Sequence, residues 1–421
     1  MTSNFHLKNY YLFCFFIAAL LINASCKTTQ SSLPSPSKPG ADKPAPSKEE
    51  PAKDIKEVKK DEPVKMRVAL IMPFELEQNF AQTSDELSVP EVNPSSLIAL
   101  NFYEGALIAA DSLKSASKEI QVVAYDTPSD SAGIVRMLTN PAIKEASIVI
   151  GTFPNNLTNA AIEASKKANI NLILTQAGTP SILEKSKNIA IAYASTITQC
   201  REMASYMMEQ NSDANVILVY RTLKREEELA AVFRQEIQKL KKDQEFKELN
   251  ATTKSYKDVV GLLSKTKRNI VFLVSSDEAF VNPVVSLLEE QNLFGILVTG
   301  LPTWQTFESI DFMSLKNVQV YLFDNNFIDT EDSEHLDFRK KFISRFSNDP
   351  MTSGYDGFEI TYNLGKSFEK KDQDFIKWID KSFSKTKSNF LFNEFSGGGM
   401  ENKSISVLRF NDYKLEKVNV R

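Results

Sequence analysis

The sequence predicts an α/β protein built as two doubly wound, Rossmann-like lobes with a cleft between them, and three observations predict it. Apolar runs are short, rich in β-branched residues and uninterrupted, as at Ile148-Val149-Ile150 and 170–174; such runs suit strands covered on both faces, as in a parallel sheet flanked by helices. Each run stops at a small polar turn and leads into a helical pattern, which makes right-handed βαβ units. The alternation then recurs along a chain of 421 residues, 42% of them hydrophobic, which is ample for two such lobes.

Taken from its start, the chain is polar over 1–9, with Lys8, and then apolar for 13 residues over 10–22. That run is too short to span a bilayer and right for the core of a secretory signal. It ends in Asn23-Ala24-Ser25-Cys26. Small residues before a cysteine resemble the bacterial lipobox, in which the cysteine is acylated and the leader, here 1–25, is removed just before it. Asn23 departs from the usual leucine, and a plain secretory signal is the alternative. Lys27 does not resemble the inner-membrane retention signal of enterobacterial lipoproteins, so the resemblance implies an outer-membrane anchor facing the periplasm. Lipid on Cys26 would be the one membrane attachment, at about 0.8 kcal/mol per buried CH₂. Residues 26–65 then turn to Ser, Pro, Lys and Glu, with seven of the chain's 17 prolines. Such a segment cannot form a core and is expected to be a disordered, extended tether, reaching on the order of 100 Å.

The first lobe opens with the strand MRVALIMPF (66–74). The connection over 75–94 is long for a βα loop; it reads as a lid or partner-binding element, or as a disordered insertion. In the next helix Leu97, Leu100, Tyr103, Leu107 and Ala110 form a stripe expected to face the sheet. A strand follows at 120–125, and Asp126-Thr127-Pro128-Ser129-Asp130 opens another helix. The polar turns 152–156 and 175–179 fall at the carboxyl edge of the next two strands, where doubly wound folds place their ligands. Asn155 or Asn156 is placed to cap the helix over 157–168, and Thr179 before Pro180 has cap and first-turn chemistry. Free N–H groups at two neighbouring helix starts would receive a carboxylate or another polar ligand. The alternative is that such turns occur in any α/β protein.

A further strand at 189–195 and a helix over 199–209 lead into the second lobe. Strands at 216–220, 270–275 and 295–299 alternate there with helices over 226–240, 256–264 and 277–291. The run KREEE (224–228) reads as a solvated helix start.

The segments FYEGALIAADSL (102–113), QVVAYDTPSD (121–130), SIVIGTFPNN (147–156) and LILTQAGTP (172–180) resemble the type I periplasmic binding protein superfamily. The nearest likeness is to the leucine/isoleucine/valine-binding proteins and to lipoproteins of Bacteroidetes-like envelopes with this domain. The resemblance covers roughly 66–421 and implies lobe 1 over 66–194 plus 325–375 and lobe 2 over 195–324 plus 376–421. The strand at 318–323 and Asp324-Asn325-Asn326 would return the chain to lobe 1, SGYDGFEITYNLGKSF (353–368) would be its late helix, and the remainder would close lobe 2. Gly397-Gly398-Gly399 then reads as a hairpin loop, since no Lys-Ser/Thr helix start follows it. The resemblance places Asn155 where amino-acid binders hold the ligand carboxylate, with Asn156 beside it, and Ala177, Gly178 and Thr179 where they use backbone and a threonine. Where they present an aromatic, this chain has Lys224 or Arg225; where they place an acid for the ligand amine, it has Leu301-Pro302-Thr303-Trp304. Tyr220, Ser275, Ser276 and Trp304 are the remaining candidate wall residues, with strand-end packing as their alternative.

Other classes of function find little footing. The net charge is −4, without a basic stripe for nucleic acid. There are two histidines, His6 and His335, and no HExxH, CxxC, GxSxG or Walker loop. No cofactor, metal site or catalytic residue is therefore expected, and Cys200 reads as a small buried hydrophobe. The expected function is binding a small polar solute, amino-acid-like or other, for ABC-type uptake or sensing, with an ABC permease as partner. The alternative is a non-catalytic envelope scaffold that regulates peptidoglycan synthesis through a cell-wall synthesis protein.

Overall fold

The apolar runs assemble into two seven-stranded sheets. The first holds β1 (Val64–Met72), β2 (Lys118–Asp126), β3 (Ile148–Gly151), β4 (Leu172–Ala177), β5 (Ile189–Tyr193), β11 (Phe392–Glu394) and β12 (Met400–Asn402). The second holds β6 (Asn215–Tyr220), β7 (Lys247–Asn250), β8 (Asn269–Leu273), β9 (Ile296–Thr299), β10 (Val318–Asp324), β13 (Ser406–Asn411) and β14 (Lys414–Val420). The computed structural model describes residues 64–81, 92–114, 118–240, 246–310, 317–325, 327–384, 389–411 and 414–420, all within one compact unit, Asp61–Arg421. Cys26, the leader 1–25, the tether as far as 63 and residues 82–91 of the long connection lie outside the described residues. Among those described, no helix is long and apolar enough to cross a membrane.

The sheet orders are β11-β12-β5-β4-β3-β1-β2 and β14-β13-β10-β9-β8-β6-β7. Each contains a parallel run in the doubly wound order, with its topological switch between β1 and β3 or between β6 and β8. Strands buried on both faces form the centre, and β3 and β8 are buried at every position. This is why they read as unbroken apolar runs. β7, at an edge of the second sheet, has the sequence KELN and lacks that signature.

The longer helices are α1 (Pro94–Lys114), α2 (Ser131–Thr139), α3 (Thr158–Ala168), α4 (Thr196–Gln210), α5 (Lys224–Leu240), α6 (Glu278–Glu290), α7 (Ser333–Phe346), α8 (Thr352–Ser367) and α9 (Phe375–Phe383). The 75–94 connection carries a short helix, Leu76–Ala81, at whose start the Glu75 and Leu76 N–H groups donate to the Asp126 carboxylate. The expected stripe on α1 is corrected: Leu97 and Leu100 are exposed, whereas Ala99, Phe102, Ala106, Ala109, Ala110 and Leu113 are buried. The reason is α8, which lies so close to α1 that a Cβ on Gly357 would stand 2.0 Å from the Phe102 carbonyl oxygen. Small residues, not leucines, form that contact.

The end of the chain also differs from expectation. Residues 376–421 do not close lobe 2 as one piece: β11 and β12 join the first sheet, and only β13 and β14 join the second. Packing accounts for this. Trp378, Ile379, Phe383, Phe390, Phe392 and Met400 are buried in the same core as Met66, Val68 and Phe102 of lobe 1. The glycine loop does turn a hairpin, with Gly397 at φ 68° and Phe395 bonded to Gly399 across it.

The chain passes between the sheets after β5, after β10 and after β12. The first and third passages are tied together. Asn402 Nδ2 donates to Ala192 O at 2.8 Å, and Thr198 Oγ1 donates to Glu401 Oε1 at 2.5 Å.

Candidate functional site

A cleft of about 420 Å³ opens at the carboxyl edge of the first sheet, a size that suits a small ligand. Asn155, Thr158 and Asn159 line it from the β3–α3 turn and the α3 start. The end of β4 and the short turn after it supply Gln176, Ala177, Gly178, Thr179 and Ile182. Ser195, Thr196 and Ile197 line it from the α4 start, and Arg225 from the α5 start. The cleft thus brings together Asn155, Ala177, Gly178 and Thr179 of the expected residues and leaves out Asn156, Tyr220, Ser275, Ser276 and Trp304.

The lobe 1 wall is held by one side chain that the sequence reading missed. Gln176 Oε1 accepts from the Phe153 N–H at 2.6 Å, and its Nε2 donates to Phe153 O at 2.7 Å and Thr158 Oγ1 at 2.8 Å. This amide continues the β3–β4 pairing past the strand ends. Beneath it the Thr152 and Thr175 hydroxyls meet at 2.6 Å.

The expected caps do not form. The cap position of α3 is Leu157, with no side-chain bond, and the turn is closed by Pro154 O, which accepts from the Leu157 and Thr158 N–H groups. Asn155 and Asn156 stay exposed. Thr179 precedes a four-residue 3-10 turn, Pro180–Leu183, and makes no capping bond; so short a turn sums little peptide dipole. The effective helix start in the cleft is instead that of α4, where Ser195 caps through its Oγ, accepting from Thr198 N at 3.1 Å. A serine just before a helical pattern is the signal that would have found it.

Arg225 is the cationic side chain in the lining. Its guanidinium is half exposed and touches Glu228 at 3.3 Å. An exposed pair at this spacing holds weakly, which leaves the group free to meet a ligand.

At the switch point of the second sheet the polar groups are consumed internally. Arg221 binds Glu226 through Nε and NH2, reaches Asp277 Oδ2 at 2.7 Å through NH1, and lies over the Phe280 ring at 4.5 Å. Hydrogen bonding to Glu226 raises the Arg221 pKa, and hydrogen bonding from Arg221 lowers that of Asp277. Ser275 Oγ donates to Glu226 Oε1 at 2.7 Å, and Trp304, fully buried, donates its Nε1–H to Ser275 O at 2.8 Å. Ser276 pairs with Thr303, and Tyr220 lies under the Arg234 guanidinium, which is itself paired with Glu248. Ser275 and Trp304 are thus held in a buried network, Tyr220 stacks beneath Arg234, and the Ser276–Thr303 pair lies at the surface.

Among the described residues no group of His, Cys, Asp or Glu is arranged to hold a metal ion. Cys200 is buried, and burial pushes its thiol well above the usual range.

No protein-family model matches the chain, and no curated protein does. Solved structures do. A Rhodospirillum rubrum protein assigned as a branched-chain amino acid ABC transporter superposes with a TM-score of 0.59 at 12% identity, over 84% of this chain and 99% of its own. An ABC transporter substrate-binding protein from Sphaerobacter thermophilus gives 0.53 at 13%, over 85% and 98%. One from Desulfitobacterium hafniense gives 0.50 at 14%, over 84% and 99%. With two sheets whose parallel runs are doubly wound alike, the chain has the type I periplasmic binding protein fold, shared with these ABC transporter proteins.

Proposed function

We propose that this chain binds a small anionic solute, without catalysis, in the cleft beside Gln176 and Arg225. One observation carries the reading: the lining contains a guanidinium and no carboxylate. The starts of α3 and α4 also border the cleft, and helix N-termini favour negative charge. An amino acid's ammonium group would find no anionic partner there, and leaving it unpaired is costly. Ile182 and Ile197 offer aliphatic contact for the rest of the solute.

The fold's neighbours serve ABC transporters, which supports uptake or sensing with a permease as partner. We further propose that Cys26 carries the lipid and anchors the protein in the outer membrane, as the Asn23-Ala24-Ser25-Cys26 sequence suggests. Palmitate labelling of wild type and Cys26→Ser tests this; an unlabelled wild type contradicts it.

The binding reading is tested by thermal shift of the full chain with isocaproate, benzoate and leucine. The carboxylates without an amine should raise the melting temperature, by about 2.7 kcal/mol of added stability at a hundred times Kd. Leucine should do so weakly or not at all. Equal stabilisation by leucine would overturn the anion-without-amine reading.

A further inference from the structure

We propose that the buried hydroxyls of the cleft, Ser195 and Thr158, present only hydrogen-bond acceptors, so that the solute is a hydroxy acid whose hydroxyl donates its one hydrogen to either of them. This rests on the anion-binding reading above and names the class of solute within it.

An ionised carboxylate only accepts, and a hydroxyl has one hydrogen and two lone pairs. Thr198 Oγ1 lies 2.5 Å from Glu401 Oε1, so the Thr198 hydrogen goes to Glu401. The Ser195–Thr198 contact at 3.1 Å must then be a donation from Ser195. Ser195 Oγ also accepts the Thr198 N–H at 3.1 Å, which leaves it one lone pair and no hydrogen. Thr158 reaches the same condition independently. It donates to the Pro154 carbonyl at 3.2 Å, since a carbonyl only accepts, and its Oγ1 accepts from Gln176 Nε2 at 2.8 Å. Both hydroxyls are buried and both residues line the cleft. A carbonyl oxygen arriving there meets lone pairs, whereas a hydroxyl meets acceptors. Acceptors of this kind would also suit an ammonium, but its charge has no carboxylate partner in the lining.

Glu401 is what fixes the direction of the Ser195–Thr198 chain. It is 2% exposed. Burial raises the pKa of its carboxyl, opposed by the Thr198 hydrogen bond, by Lys403, by the Ser195 backbone and by Arg201. Once protonated, Glu401 can donate to Thr198, and the Thr198 and Ser195 hydrogens are freed. Discrimination should therefore be full on the alkaline side and weaken as pH falls through the raised pKa.

The experiment is a calorimetric titration of the full chain, on the alkaline side of neutral, with α-hydroxyisocaproate and α-ketoisocaproate, which share one skeleton and one carboxylate. Wild type should prefer the hydroxy acid about tenfold, the difference expected for one hydrogen bond made rather than opposed. Thr198→Val removes the acceptor of the Ser195 hydrogen and should bring the ratio near one or reverse it. Ser195→Ala, whose cost is that of a lost cap, should also lower the ratio and serves if the valine variant does not fold. A wild-type ratio near one, or a ratio unchanged in the variants that fold, overturns the inference while leaving the anion-binding reading intact. If neither acid binds wild type, both fall.

Discussion

At the carboxyl edge of the first sheet, Gln176 braces a loop and leaves hydroxyls and amides lining a cleft; at the same edge of the second sheet, Arg221 lies between Glu226 and Asp277. The parallel runs of the two lobes share a strand order, so topology at these edges does not set this difference. Side chains do. In lobe 1 the polar groups are neutral and partly free, which suits recognition. In lobe 2 opposite charges satisfy one another, which suits stability, and the lobe's contribution to the cleft is reduced to the starts of α4 and α5. A shared fold locates the edge where ligands bind, but the chemistry of each edge decides whether anything does.

Glu226 is where the charged edge of lobe 2 depends most on a single side chain. Its side chain is 8% exposed and that of Arg221 19%, so removing Glu226 strips a mostly buried guanidinium of its bidentate partner and leaves it only the more exposed Asp277. Glu226→Ala should destabilise the protein by about 3 kcal/mol, read by denaturant unfolding. Replacing Arg221 and Glu226 together by methionine and leucine should recover much of that loss. The pair of Arg221 with Asp277 acts in the same direction. Because the aspartate pKa is lowered in the folded state, its contribution is present above the ordinary aspartate range and is lost as pH falls through the lowered value.

Gln176→Ala is the corresponding change in lobe 1 and should be milder. It removes three hydrogen bonds at a half-buried site, for a loss of about 1–2 kcal/mol. The loop 152–157 should then loosen, and hydrogen exchange at Phe153 should rise. Unchanged exchange there would show that the loop does not depend on the amide. Mildest of all should be Asn155→Ala and Thr179→Ala. Neither side chain caps a helix, so stability should change by less than about 0.5 kcal/mol.

Part of this architecture is legible in the sequence. Central strands such as β3 and β8 were plain, because burial on both faces leaves an unbroken apolar run. The polar turns at 152–156 and 175–179 were plain as well, and they do border the cleft. The particular chemistry was not. Gln176 has no signature, since its role depends on the backbone of Phe153, a residue on another loop. Ser275 and Trp304 sit at strand ends like true site residues, and only the contacts among Arg221, Glu226 and Ser275 reveal that they are engaged inside. The sheet that receives β11 and β12 was equally hidden, because it is decided by Phe390, Phe392 and Met400 meeting the lobe 1 core across a long stretch of chain.

Lobe 1 and the α4 start supply the neutral groups of the cleft and the α5 start supplies its cation, Arg225. Isothermal titration of isocaproate into wild type and Arg225→Ala tests this division most directly. Arg225 is exposed and weakly paired, so folding should be unaffected. Losing a charge-assisted hydrogen bond of about 1.5–3 kcal/mol should weaken binding roughly ten- to hundredfold. Wild-type affinity in the variant would contradict the account. So would a chain that binds none of the small carboxylates, and a role for the cleft edge in contacting an envelope protein would then be the reading to pursue.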